Sequence, residues 1–120
     1  MNQPVYDKKD QFDKVVSGLL QGETVIAVYD AIGTGTGFIG LTDRRVIIQD
    51  NSFAGKRMAL TSIPYSKVQS VSFISDKSVF GKWASTSEIA VQAGGRSYEV
   101  AFRGNDKAKH CHDVILWKIS

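Results

Sequence analysis

The stretch from Glu88 to Arg103 constrains this chain more than any other. Ile89, Val91 and Ala93 alternate with Glu88, Ala90 and Gln92, and then Tyr98, Val100 and Phe102 alternate with Ser97, Glu99, Ala101 and Arg103. A period of two sends alternate side chains to opposite faces, so each run reads as a strand with one apolar face. Between the runs stands Gly94-Gly95, the pair required by a two-residue hairpin turn of the primed type, where both positions need positive φ. An isolated hairpin is marginal in water. The rest of the chain must therefore supply a sheet around this one.

It does so with a second organised stretch, Thr42 to Val68. Thr42-Asp43-Arg44-Arg45 reads as a tight turn feeding the apolar strand Val46–Ile48, which Asp50-Asn51-Ser52 and Gly55 interrupt. A strand over Arg57–Ile63 follows; Pro64 stops its ladder and Ser66-Lys67 turn the chain. Upstream, Thr24–Ile32 is β-branched and apolar on both faces, which predicts a strand covered on each side. The glycine run 33–37 separates it from another strand, Phe38–Leu41. Downstream, Val71 and Phe73 share a face, and Ser75–Thr86 is a long polar connection carrying Phe80 and Trp83.

Two segments have helical spacing. Over 7–20, Phe12, Val15, Val16, Leu19 and Leu20 form one stripe, Asp7 and Asp10 suit the helix dipole, and Gly22 is placed to end the helix. So short a helix must bury its stripe on some surface. Residues 1–6 have no period and are expected to be disordered. Over 105–119, Asn105 or Asp106 serves as N-cap, and Ala108, Cys111, Ile115 and Ile119 form an inner stripe widened by Val114, Leu116 and Trp117.

The resulting expectation is a mainly β (α+β) single domain over 7–120. About seven strands form an antiparallel bent sheet or partly open barrel over 24–103. A C-terminal α-helix caps it, and a short N-terminal helix is added. With 120 residues the chain is long enough for one core, and its excess of 15 basic over 12 acidic side chains, spread with alternating sign, does not describe a nucleic-acid binder. Cys111 is alone, which excludes an intramolecular disulfide and suits a reducing compartment. The N-terminus has no leader pattern, and no apolar run approaches a membrane span. These features lead to a cytoplasmic expectation.

Few residues suggest chemistry. The glycine run lacks the Lys-Ser/Thr ending of a phosphate loop and leads into a strand, so it reads as a hairpin tip. His110 and His112 are two apart on a helix and point to different faces, with Cys111 as a core residue between them. No nucleophile, base and orienting group fall together. Neither enzyme activity, metal nor cofactor is expected. Two basic features remain as possible contacts for a partner or ligand. Arg44 and Arg45 sit at a turn, where an ion pair with Asp43 or Asp50 is the plain alternative. The loop 77–83 combines Lys77, Phe80, Lys82 and Trp83, where the aromatics either cover a barrel end or meet a membrane or protein.

Thr42-x-x-Arg45-Val46-Ile47, Asp50, Gly55-Lys56, Ser62-Ile63-Pro64-Tyr65-x-x-Val68 and Glu88-Ile89-Ala90-Val91, in this order, resemble the bacterial pleckstrin-homology (PH) domain family over about residues 19–119. The resemblance implies a PH-like superfold, no assigned biochemical role, and a tendency to homo-oligomeric rings. In eukaryotic PH domains lipid is bound by a basic cluster on the first two strands and their loop; here that loop, 31–38, has no Lys or Arg. The expected function is an interaction or scaffold module that self-assembles, with an unknown protein partner possible. The alternative is a peripheral membrane or anionic-ligand module using the 77–83 loop and Arg44/Arg45.

Overall fold

The computed structural model describes residues 3–33, 35–51, 57–75 and 86–120. In chain order the elements are β1 (Val5–Tyr6), α1 (Lys9–Ser17), β2 (Val25–Asp30), β3 (Thr36–Thr42), β4 (Arg45–Asp50), β5 (Ala59–Pro64), a 3-10 turn (Tyr65–Lys67), β6 (Val68–Ser75), β7 (Thr86–Ala93), β8 (Arg96–Arg103) and α2 (Asp106–Ile119). Described strands number eight rather than seven. They form two sheets, β1-β2-β3-β4-β5 and β6-β7-β8, which do not close into a barrel.

The extra strand is β1. Val5 and Tyr6 pair with Ala27 and Val28, so these two residues are not disordered, and their pairing is parallel in an otherwise antiparallel fold. Asp7 fastens the segment: its carboxylate accepts the Asp30 backbone N–H at 2.9 Å and pairs with Lys107 of α2 at 2.9 Å. A backbone hydrogen bond links the two sheets at one corner, where the Ile32 N–H donates to the Ala101 carbonyl at 2.9 Å.

The β7–β8 hairpin follows its alternation, in unbroken register from Ala93↔Arg96 to Thr86↔Arg103. Gly94 and Gly95 take φ of 59° and 76°, the positive pair their turn requires. Their inward side chains Ile89, Val91, Val100 and Phe102 join Ile39, Leu41, Val46 and Ile63 from the first sheet in the main core. Helix α2 plugs that core with Ala108, Cys111 and Ile115 and packs chiefly against β6. Asn105 makes no side-chain capping bond. The stripe is narrower than expected: Leu116 is half exposed and Trp117 is 81% exposed, so neither widens the buried face.

The covering of β2 on both faces has a specific cause. Helix α1 lies on the outer face of the first sheet, where Val15 meets Val28, Phe38 and Ile47 in a second core, with Phe12, Leu19 and Val25 at its margin. Phe12, Val15 and Leu19 of its stripe are thus covered within the chain. The helix ends at Ser17 and not near Leu20, because Gly18 takes the capping role, donating its N–H to the Val15 carbonyl at 3.1 Å. Val16 and Leu20 remain exposed. Gly22, with φ of 81°, belongs to the following turn.

Gly40 is what lets α1 sit this close. A Cβ placed there would lie 3.0 Å from Val15 Cγ2, tighter than ordinary contact. Gly40→Ala is therefore expected to push α1 outward and to destabilise the fold by about 1–3 kcal/mol, the usual range for overpacking. Thermal unfolding measures the loss, and rising amide exchange over Lys9–Ser17 would localise it.

Candidate functional site

The Thr42-x-x-Arg45 turn is the most heavily bonded place in the described structure, and its partner is Glu23. Sequence reading offered Asp43 or Asp50 instead. Asp43 is engaged elsewhere, accepting the Thr24 backbone N–H at 2.9 Å, and Asp50 pairs with Arg96 at 3.2 Å. The Glu23 side chain is fully buried, with 0% exposure. Arg45 grips it with two donors, Nε to Oε2 at 2.8 Å and Nη2 to Oε1 at 2.9 Å. The Thr42 hydroxyl donates to Oε2 at 2.6 Å, and the Leu20 backbone N–H donates to Oε1 at 2.9 Å.

The motif spacing now has a physical reason. The Thr42 oxygen accepts the backbone N–H groups of Arg44 and Arg45 at 3.1 and 3.0 Å, which closes the turn and aims Arg45 back at Glu23. Arg45 also donates to the Gly18 carbonyl at the end of α1 and to the Ser62 hydroxyl of β5, both at 2.8 Å. Tyr65, the last residue of the Ile63-Pro64-Tyr65 turn, donates its hydroxyl to the Thr42 carbonyl at 2.7 Å. One guanidinium and one carboxylate therefore tie together α1, the start of β2, the β3–β4 turn, β5 and the 3-10 turn.

The electrostatics match. The hydrogen bond from Arg45 holds the Glu23 carboxyl down at about 2, against the opposing pull of burial. Burial pushes the Tyr65 hydroxyl and the Cys111 thiol up, so neither ionises near neutrality. Tyr29, buried beneath α2, is raised to about 12 by desolvation, and its hydroxyl shares a 2.7 Å hydrogen bond with His110 Nδ1.

The sequence-derived candidates separate. Arg45 is a structural clamp. Arg44 is exposed, reaching back over Gly22. Lys77, Phe80, Lys82 and Trp83 lie outside the described residues, as do Ser52, Gly55 and Lys56. His110 turns to Tyr29 while His112 bonds Asp113 at 3.0 Å and lies beside Phe73. Among the described residues no three His, Cys, Asp or Glu side chains converge as a metal site.

What sequence reasoning missed is Glu23, which stands in a Gln-Gly-Glu-Thr stretch that reads as a loop. It also missed the surface of α2 and β6. Phe73 and Ile74 are partly exposed on β6, and Trp117 stands out from α2. A cleft of about 530 Å³ opens between β5 and β6, with Thr61, Ser66, Lys67, Gln69 and Tyr98 on its walls. Those walls offer hydroxyls, an amide and one ammonium. A smaller cleft of about 200 Å³ lies beside Gly35, where Arg96 is paired with Asp50 and stacked 4.5 Å from the Tyr98 ring. No described helix is long and apolar enough to cross a membrane.

With two half-closed sheets, a plugging C-terminal helix and the Thr42-x-x-Arg45 clamp, the architecture is that of a PH-like domain. The family model for the bacterial PH domain matches residues 12–115, and the chain belongs to that family. Among solved structures it is similar to a pleckstrin homology domain from Shewanella amazonensis SB2B, with a TM-score of 0.66 and 18% identity over 94% of this chain and 98% of that one. A DUF1696 family protein with a pleckstrin-homology domain from Shewanella loihica PV-4 gives a TM-score of 0.65 and 13% identity over 95% and 94%. The hSac2 domain from human phosphoinositide phosphatase Sac2 gives 0.55 and 9% over 93% and 82%. At these identities the likeness concerns the fold. No curated protein matches the chain.

Removing either half of a buried ion pair leaves an uncompensated charge, so Arg45→Ala is expected to cost about 3–5 kcal/mol in urea unfolding. The acid limb is a second test. A carboxyl with an ordinary value of 4.5 when unfolded and about 2 when folded stabilises the fold above 4.5 and loses that contribution as pH falls toward 2. Glu23→Gln is expected to abolish this part of the pH dependence in that window.

Proposed function

We propose that this chain is a non-catalytic interaction module that assembles with copies of itself. One observation carries the reading: each sheet ends in an edge strand, β5 and β6, whose outer edge pairs with no described strand. Apolar side chains stand beside both edges, Leu60 on β5 and Phe73 and Ile74 on β6. An open edge presents unpaired N–H and C=O groups and is a template for another chain. Exposed aromatic and aliphatic side chains alongside it supply the desolvation that association needs.

One further feature supports the reading. The alternative of an anionic surface contact loses one of its cations, because the Arg45 guanidinium is already engaged by Glu23, Gly18 and Ser62.

Light scattering after size exclusion tests the reading. The expected result is a discrete multiple of 13.2 kDa that persists at micromolar concentration. A single 13.2 kDa species at high micromolar concentration would overturn it.

A further inference from the structure

We propose that the cavity between α1 and the outer face of the first sheet binds a small monocarboxylate with a short, branched apolar tail. The site is separate from the strand edges, and it does not depend on self-assembly.

The cavity follows from the size of α1. A helix about 10 Å wide covers about two strands spaced about 4.8 Å apart. Helix α1 packs on β2 and β3, which leaves the outer face of β4 and β5 open beside it. A cavity of about 100 Å³ lies there. Val15, Phe38 and Ile47 line its buried part, and the half-exposed Leu60 lines its outer part.

The polar side chains around it are Lys14, Arg45 and Ser62. Arg45 is already committed, to Glu23 through Nε and Nη2 and to the Gly18 carbonyl through Nη2. Its Nη1 donates to the Ser62 hydroxyl at 2.8 Å. That bond uses the Ser62 oxygen as an acceptor and leaves the Ser62 proton to be donated elsewhere. Among the described residues nothing accepts it. Lys14 donates to the Gln49 amide oxygen at 3.2 Å and pairs with no carboxylate among the described residues. Its neighbour Asp13 is taken by Lys9 at 2.9 Å, and Glu23 is sealed inside the clamp.

The cavity therefore joins an apolar interior to an ammonium without a counter-charge and a hydroxyl with a spare proton. Two donors call for an anion with two acceptor atoms, which a carboxylate supplies. Inorganic phosphate would satisfy the donors and leave Phe38 and Ile47 without an apolar partner. A plain hydrocarbon would fill the interior and leave both donors unmet. One molecule carrying both features fits. Volume sets the tail: an apolar cavity of about 150 Å³ takes benzene, so one of about 100 Å³ takes about four carbons. Isovalerate, an isobutyl group on a carboxylate, has this form.

An NMR titration of the whole isotope-labelled chain near neutral pH tests the site. Isovalerate is the probe, isoamyl alcohol its neutral counterpart, and acetate the head group without the tail. The expected result is saturable shifts centred on the amides of Lys14, Val15, Gly18, Ile47, Leu60 and Ser62. Isovalerate is expected to bind at least about tenfold more tightly than either control, since hydrogen bonds to a charged group and tail burial each contribute on that scale. Lys14→Met keeps the stem at an exposed position and removes the charge. It is expected to weaken isovalerate about tenfold and to leave the alcohol unchanged, whereas Lys14→Arg stays within about twofold of wild type. Circular dichroism confirms that both variants fold. No saturable shift at these residues would overturn the site. So would equal affinity for the acid and the alcohol, or an acid affinity indifferent to Lys14→Met.

Discussion

The bidentate contact between Arg45 and Glu23 is the interaction on which the rest of this structure depends. Its two charges are costly to desolvate, and a buried pair of this kind is weak evidence for net stability. Its value here is geometric. The guanidinium reaches the Gly18 carbonyl on one side and the Ser62 hydroxyl on the other, so the end of α1 and the edge strand β5 are held at one point. Thr42 fixes the turn that presents Arg45, and Tyr65 fixes Thr42. Without the clamp, α1 would be held on the sheet by its small apolar cluster with Val28, Phe38 and Ile47, by the Gln11 bond to Asp30 and by the Tyr6–Phe12 stack.

Local chemistry made much of this visible in the sequence. Gly94-Gly95 between alternating runs could specify only one turn, and the hairpin has that turn. Two-sided apolarity at Thr24–Ile32 signalled a strand covered twice, although nothing in the stretch said that α1 was the second cover. Long-range matters were less legible. Glu23 is adjacent in sequence to turn residues and far from Arg45, and no local pattern distinguishes a buried acid from a solvated one. β1 is two residues long, too short for a period to register. The spacing of Trp117 on α2 permits an inward place, but Ala108, Cys111 and Ile115 already fill the helix face that the core can hold. Side-chain spacing shows which residues can share a face, not how wide a face the sheet leaves open.

The functional consequence lies in what the clamp protects and what it leaves open. The β5 side is braced by Arg45, by Pro64 and by the 3-10 turn. The β6 side has a polar, uncharged edge strand, two exposed apolar side chains and a helix whose last turns face solvent. On the proposed self-assembly reading, these exposed edge side chains are where copies would meet.

If the Arg45–Glu23 pair holds the end of α1 and the edge strand β5 at one point, its loss must loosen both. Amide hydrogen exchange of Arg45→Ala tests this most directly. The account predicts faster exchange over Lys9–Ser17 and Ala59–Pro64, with the β7–β8 hairpin unchanged. Unchanged exchange in α1 and β5, or an equal rise in every element, would contradict it.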